Sequence, residues 1–213
     1  QSLSSAASDV YKRQAGAREV PYPLVAHASR AIATSTNSHM RSGPRHVSRI
    51  AHRRVPRVTV AIATPFTEQG GVDEAGITRT VVWLQAQGIV SIIPGGTTGE
   101  FAAMMASERL QVLEATRRAA GDNCFLFANV SACAVGDALT LAQQATASPS
   151  KPDALLLLPP YYHQPFSAET GAYGCKQFFR SVLQGLDDAA IATPVYMYTF
   201  AVHTQQPIPP ATF

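Results

Sequence analysis

An α/β fold built on a parallel sheet is what this sequence predicts, and three observations carry the prediction. Five short apolar runs recur from residue 58 onward, their starts lie 31, 35, 30 and 40 residues apart, and a stretch of helical length separates each from the next. That spacing is the length of a β-α unit and too long for a hairpin. The runs are almost continuously apolar instead of alternating, which is the pattern of strands covered on both faces.

The first run, Val58–Ala63, leads through Thr64-Pro65-Phe66 to a helix predicted over Asp73–Gln87. Asp73 suits its N-cap and Gly88 its stop. Ile77, Val81 and Leu84 form its apolar stripe, and Trp83 reads as a packing anchor beside them. The second run, Ile89–Ile93, ends in Pro94-Gly95-Gly96-Thr97-Thr98-Gly99-Glu100. A helix is predicted over Ser107–Ala120, with Ser107 as N-cap and Gly121 as stop. Leu110, Val112, Leu113, Thr116 and Ala120 share one side of it. Arg109 and Arg117 fall towards that side and are expected to snorkel outward. The third, fourth and fifth runs, Cys124–Val130, Ala154–Leu158 and Pro194–Thr199, are separated by helices predicted over Gly136–Ala147 and Glu169–Leu186.

Charge divides the chain of 213 residues. Residues 1–57 hold ten Lys/Arg against Asp9 and Glu19, whereas residues 58–213 hold seven against twelve acids, so the formal net charge of +3 conceals a basic leader and an acidic domain. The candidate domain is therefore a poor match for nucleic acid. The leader is rich in Arg, Ser, Ala and His, has Arg41, Arg45, Arg49 and Arg53 at every fourth position, and is interrupted by Pro21, Pro23, Pro44 and Pro56. Two readings of it stand: an organelle transit peptide, directing the protein to a mitochondrion or plastid, or a disordered tail on a cytoplasmic protein. The chain opens on Gln1, so its first residues need not be a native start. No apolar run approaches the roughly 18 residues of a membrane span, and no membrane partner is expected. Cys124, Cys133 and Cys175 are an odd set without C-x-x-C spacing, which argues against a disulfide framework or a structural zinc site.

The second strand's loop carries the strongest chemical signal. Paired glycines, two threonines, a third glycine and a carboxylate at the end of an apolar strand expose N–H groups and hydroxyls, the makings of an anion cup. Periodicity alone leaves a barrel and an open doubly wound sheet both standing. In either, reactive groups belong at the carboxyl ends of strands, where Thr64, Thr97, Thr98, Asn129, Ser131, Tyr161, Tyr162 and Tyr198 fall.

Four segments in order, Ala63-Thr64-Pro65-Phe66, Gly96-Thr97-Thr98-Gly99-Glu100, Pro159-Pro160-Tyr161-Tyr162 and Pro194-Val195-Tyr196-Met197-Tyr198, resemble the dihydrodipicolinate synthase and N-acetylneuraminate lyase superfamily. The resemblance covers residues 58–213 and implies a (β/α)8 TIM barrel of which about the first five β-α units are present. It implies a Schiff-base aldolase or lyase acting on pyruvate or a related 2-oxo acid, without metal or other cofactor, and a homo-oligomer when full length. By resemblance Gly96, Thr98 and Gly99 receive the substrate carboxylate, and Thr97 is a hydroxyl of a proton relay. Tyr198 is the acid–base residue, and Tyr162 completes the relay across a subunit interface.

A lysine must form the imine that withdraws electrons from the adjacent carbon. The family places it at the end of the sixth strand, roughly thirty residues beyond the match to Tyr198 on the β-α spacing. After the leader this sequence has only Lys151 and Lys176, neither at a strand's carboxyl end. The sequence therefore reads as a truncated copy lacking the imine-forming lysine and expected to be inactive alone. Two departures from the family pattern, His203 at the position of an arginine that grips the second substrate and Asn129 in place of a usual glycine, point to a different partner substrate. His163 and His203 are expected to face solvent or substrate, with no metal. The rival reading is a non-catalytic barrel acting as a binding or assembly partner. A phosphate-binding barrel fits less well, because the glycine loop follows the second strand instead of the seventh or eighth.

Overall fold

A computed structural model describes residues 53–161, 171–199 and 204. Within them strands and helices alternate as β1 (Val60–Ala61), α1 (Glu74–Ala86), β2 (Ser91–Ile93), α2 (Ala106–Ala120), β3 (Phe125–Asn129), α3 (Val135–Ala147), β4 (Ala154–Leu157), α4 (Gly171–Asp188) and β5 (Val195–Met197). Each of the five predicted strands and four predicted helices is present. The sheet order is β1-β2-β3-β4-β5 and every neighbouring pair is parallel. A doubly wound sheet would reverse direction at a switch point. This order runs one way throughout, as the first five strands of a barrel do.

Two apolar clusters hold the layers together. Ile62, Ile77, Val81, Leu84, Ile92 and Val112 join α1 and α2 to β1 and β2, and continue through Phe125, Phe127, Leu156 and Leu158. Leu126, Ala128, Leu155 and Leu157 project the other way and pack with Ala138, Ala142, Phe179 and Val182 of α3 and α4. Alternate residues of β3 and β4 thus enter different clusters, the two-residue period of a strand buried on both faces.

Asp73 caps α1 as predicted, its Oδ1 accepting from the Gly76 N–H at 2.9 Å. Ser107 does not cap α2. That helix begins one residue earlier, and the Glu108 carboxylate accepts from the Met105 N–H at 2.9 Å, doing from inside the first turn what a capping hydroxyl does from outside it.

Trp83 is not a packing anchor. Two residues beyond Val81 it lies across the helix from the buried stripe, and it is 52% exposed beside Val82 at 54%. Nor does Arg117 snorkel. Its guanidinium turns inward to the carbonyls of Ser150, Gly121 and Cys124 at 2.7, 2.9 and 2.9 Å and to Asp153 at 2.9 Å. Asp153 also accepts from the Leu126 N–H and from Arg53, so one carboxylate ties the end of α2 to the starts of β3 and β4. Among the described residues no helix is long and apolar enough to cross a membrane.

Candidate functional site

The loop after β2 is folded on itself at the carboxyl end of the sheet. The Glu100 N–H donates to the Thr97 carbonyl at 3.1 Å and the Phe101 N–H to the Gly96 carbonyl at 3.2 Å. Gly95, at φ 54°, takes the left-handed turn that starts the loop. Gly99 is required for another reason: a Cβ there would stand 2.9 Å from the backbone N and Cα of Gly95 and 3.0 Å from the carbonyl of Ile62. Backbone packs on backbone, and the Thr64 hydroxyl fixes the arrangement by donating to the Gly99 carbonyl at 2.8 Å. Thr97 is half-buried and Thr98 exposed. Among the described residues no partner engages their hydroxyls, and no carbonyl accepts from their N–H groups. A short loop whose donors meet no partner among the described residues is suited to a small anion.

At the end of β3 the Asn129 carboxamide donates from Nδ2 to the Gly95 carbonyl at 2.8 Å, and its Oδ1 accepts from the N–H and hydroxyl of Ser131. The Ser131 hydroxyl in turn accepts from the Leu158 N–H at 2.9 Å. Beneath them Arg109, expected to snorkel from α2, reaches inward to the carbonyls of Asn129 and Ser131, with its guanidinium 5.2 Å from the centre of the Phe101 ring. Burial lowers its pKa to about 10, with Tyr161 acting against that fall, and its Nε has no hydrogen-bond partner among the described residues. The cation stays charged at neutral pH, held by two carbonyls and an aromatic face.

Tyr198 continues the ladder one residue past β5, its N–H donating to the Leu157 carbonyl at 2.9 Å. Its half-buried ring joins those of Tyr196 and Tyr161 against the cluster that contains Phe101. Tyr196 meets Phe127 edge-on at 5.4 Å, and Tyr161 meets Phe101 edge-on at 5.3 Å. Burial pushes the hydroxyls of both Tyr161 and Tyr196 above the usual phenol range. Tyr198 lies on the same strand face as Tyr196 and nearer the carboxyl end.

Of the predicted site residues, Gly96, Thr97, Thr98 and Gly99 form the loop and Tyr198 stands at the end of β5 on the same end of the sheet. Tyr162 and His203 lie outside the described residues. Lys151 is exposed in the loop entering β4, and Lys176 lies within α4. Sequence reasoning missed the service of Arg109 to this end of the sheet. Its placement on the apolar side of α2 is the available signal, which the expectation of an outward snorkel passes over. A cleft lined by Leu110, Leu113, Leu141 and Gln144 opens between α2 and α3 on the helical side of the sheet and reaches the loop at Pro94 and Gly95, beside Asn129 and Arg109.

Comparison with known proteins agrees with the fold. The sequence model of the dihydrodipicolinate synthetase family matches residues 54–213. The 4-hydroxy-tetrahydrodipicolinate synthase of Chlorobium phaeobacteroides is 32% identical over 149 residues, 70% of this chain and 46% of that protein. That of Bartonella quintana is 33% identical over 138 residues, 65% and 43% of the two chains. Among solved structures, the dihydrodipicolinate synthase of Acinetobacter baumannii complexed with pyruvate has a TM-score of 0.63 at 29% identity, covering 72% of this chain and 49% of that one. The enzyme of Aquifex aeolicus gives 0.62 at 26%, covering 72% and 48%. The chain thus spans about half the length of the curated relatives it matches.

Proposed function

The chain belongs to the dihydrodipicolinate synthetase family, an aldolase family built on the TIM barrel, and from that premise we propose that its site handles pyruvate or a related 2-oxo acid as a Schiff base. The observation that carries the reading is the loop Gly95–Gly99 at the carboxyl end of β2, whose Thr97 and Thr98 donors have no partner among the described residues. There the N–H groups of the loop, those of Gly96 and Gly99 among them, and the Thr98 hydroxyl receive the substrate carboxylate. A lysine supplied by the part of the family's barrel outside these residues attacks the ketone, and water leaves as the imine forms. The imine draws electrons from the neighbouring methyl group, and Tyr198, with Thr97 and Tyr162 in relay, moves the proton as the enamine forms. His203, outside the described residues, stands in the sequence where the family's pattern has an arginine that grips the second substrate, so the partner is expected to differ from that of the family's synthases.

The positions of Lys151 and Lys176 favour one alternative for these 213 residues taken alone: a cup that binds a 2-oxo acid without reacting. Borohydride reduction separates the two. The protein expressed from its gene, incubated with pyruvate and borohydride, is expected to gain the mass of one reduced pyruvate on a lysine at a strand's carboxyl end. An adduct on Lys151 or Lys176, or none in a protein that turns pyruvate over, contradicts the proposal.

A further inference from the structure

We propose that Asn129 is a positioning residue: its carboxamide acts as a strut that holds the glycine loop in the shape that binds the substrate carboxylate. The inference rests on the 2-oxo acid reading above. Each polar atom of the strut is assigned by its partner. A carbonyl can only accept, so the contact with Gly95 must come from Nδ2. This leaves Oδ1 facing the Ser131 N–H, which can only donate. The Ser131 hydroxyl donates to the same Oδ1 and accepts from Leu158, so the chain of bonds runs from the loop after β2, across the end of β3, to the end of β4. Arg109 secures the base of the strut by donating to the carbonyls of both Asn129 and Ser131.

The strut acts on the cup through Gly95. The backbones of Gly95 and Gly99 are in such close contact that no side chain fits between them. A displacement of Gly95 is therefore passed to Gly99, whose other tether is the Thr64 hydroxyl. Thr97 and Thr98 lie between these two fixed points. With Asn129 in place their donors are set before the ligand arrives; without it the loop must be ordered on binding, which weakens affinity. The relay hydroxyl of Tyr198 is carried by β5 and does not depend on the strut. Asn129 should therefore influence substrate binding much more than turnover.

The test compares the wild-type protein, expressed from its gene, with Asn129→Ala and Asn129→Gly, both of which remove the carboxamide without adding charge. Both are expected to raise the KM for pyruvate about tenfold, the worth of one hydrogen bond, with kcat changed by less than about threefold. Amide hydrogen exchange should rise by a similar factor in residues 95–101 and stay unchanged in α2, a readout that stands even if one variant folds poorly. An unchanged KM, a loss confined to kcat, or exchange that rises equally in loop and helix overturns the proposal. If the wild-type protein proves inert towards pyruvate, the substrate reading fails, and the loop-exchange comparison alone decides whether Asn129 is the strut.

Discussion

Tyr198 and Thr98 divide the work of the proposed site, and single substitutions separate their parts. Tyr198→Phe removes one hydroxyl from a half-buried ring whose packing remains, so pyruvate binding should survive while turnover falls by about two orders of magnitude or more, the usual worth of acid–base catalysis. Thr98→Val keeps the shape and removes a donor from the cup, so it should raise KM about tenfold with turnover little changed. Steady-state kinetics on both variants check the division, and near-normal turnover by Tyr198→Phe would shift the role to Tyr196. Other side chains were harder to read. Arg109 and Arg117 were visible in the sequence as cations on an apolar helix side, but periodicity gives a direction and not a partner. The carbonyls that hold them include ones from segments distant in sequence, Ser131 for Arg109 and Ser150 for Arg117. Asn129 was legible as a departure from the family pattern, whereas its bond to Gly95 depends on the adjacency of β2 and β3.

At the scale of the element, apolar runs and their spacing located all five strands, although the ladder uses less of each run than its apolar length allows. Val58–Ala63 contributes only Val60–Ala61 as strand, and one further bond, from the Ile62 N–H to the Ile93 carbonyl at 3.1 Å, extends it. Asp73 marked its helix start because its own side chain makes the cap. Ser107 misled because Glu108 satisfies the same end from the third turn position. The loop after β2 is the element on which the site depends, and Gly99 is its narrowest point. Gly99→Ala forces a methyl group into backbone that has no side chain to yield. It should cost about 1–3 kcal/mol of stability and abolish carboxylate binding. Calorimetric melting and pyruvate titration of this variant measure both losses, and a wild-type melting temperature with wild-type affinity would show that the close approach of Gly95 and Gly99 is not needed.

For the whole molecule, the one-directional strand order settles the choice between barrel and doubly wound sheet that periodicity left open, and the family match over residues 54–213 agrees with it. Among the described residues β1 and β5 each pair on one side only. Open edges of that kind recruit other strands, so the 213-residue chain alone is expected to self-associate. A stable monomer in sedimentation, with a single sharp melting transition, would contradict this. If the cup and Tyr198 serve an imine of a 2-oxo acid, no second substrate is needed to see it, because enamine formation alone makes the methyl protons of pyruvate exchange with solvent. The most direct test is proton NMR of pyruvate in deuterium oxide with the protein expressed from its gene. Loss of the methyl signal is expected, catalysed by the wild-type protein and slowed about a hundredfold or more by Tyr198→Phe. Exchange no faster than in buffer, or equal exchange by wild type and Tyr198→Phe, would contradict it.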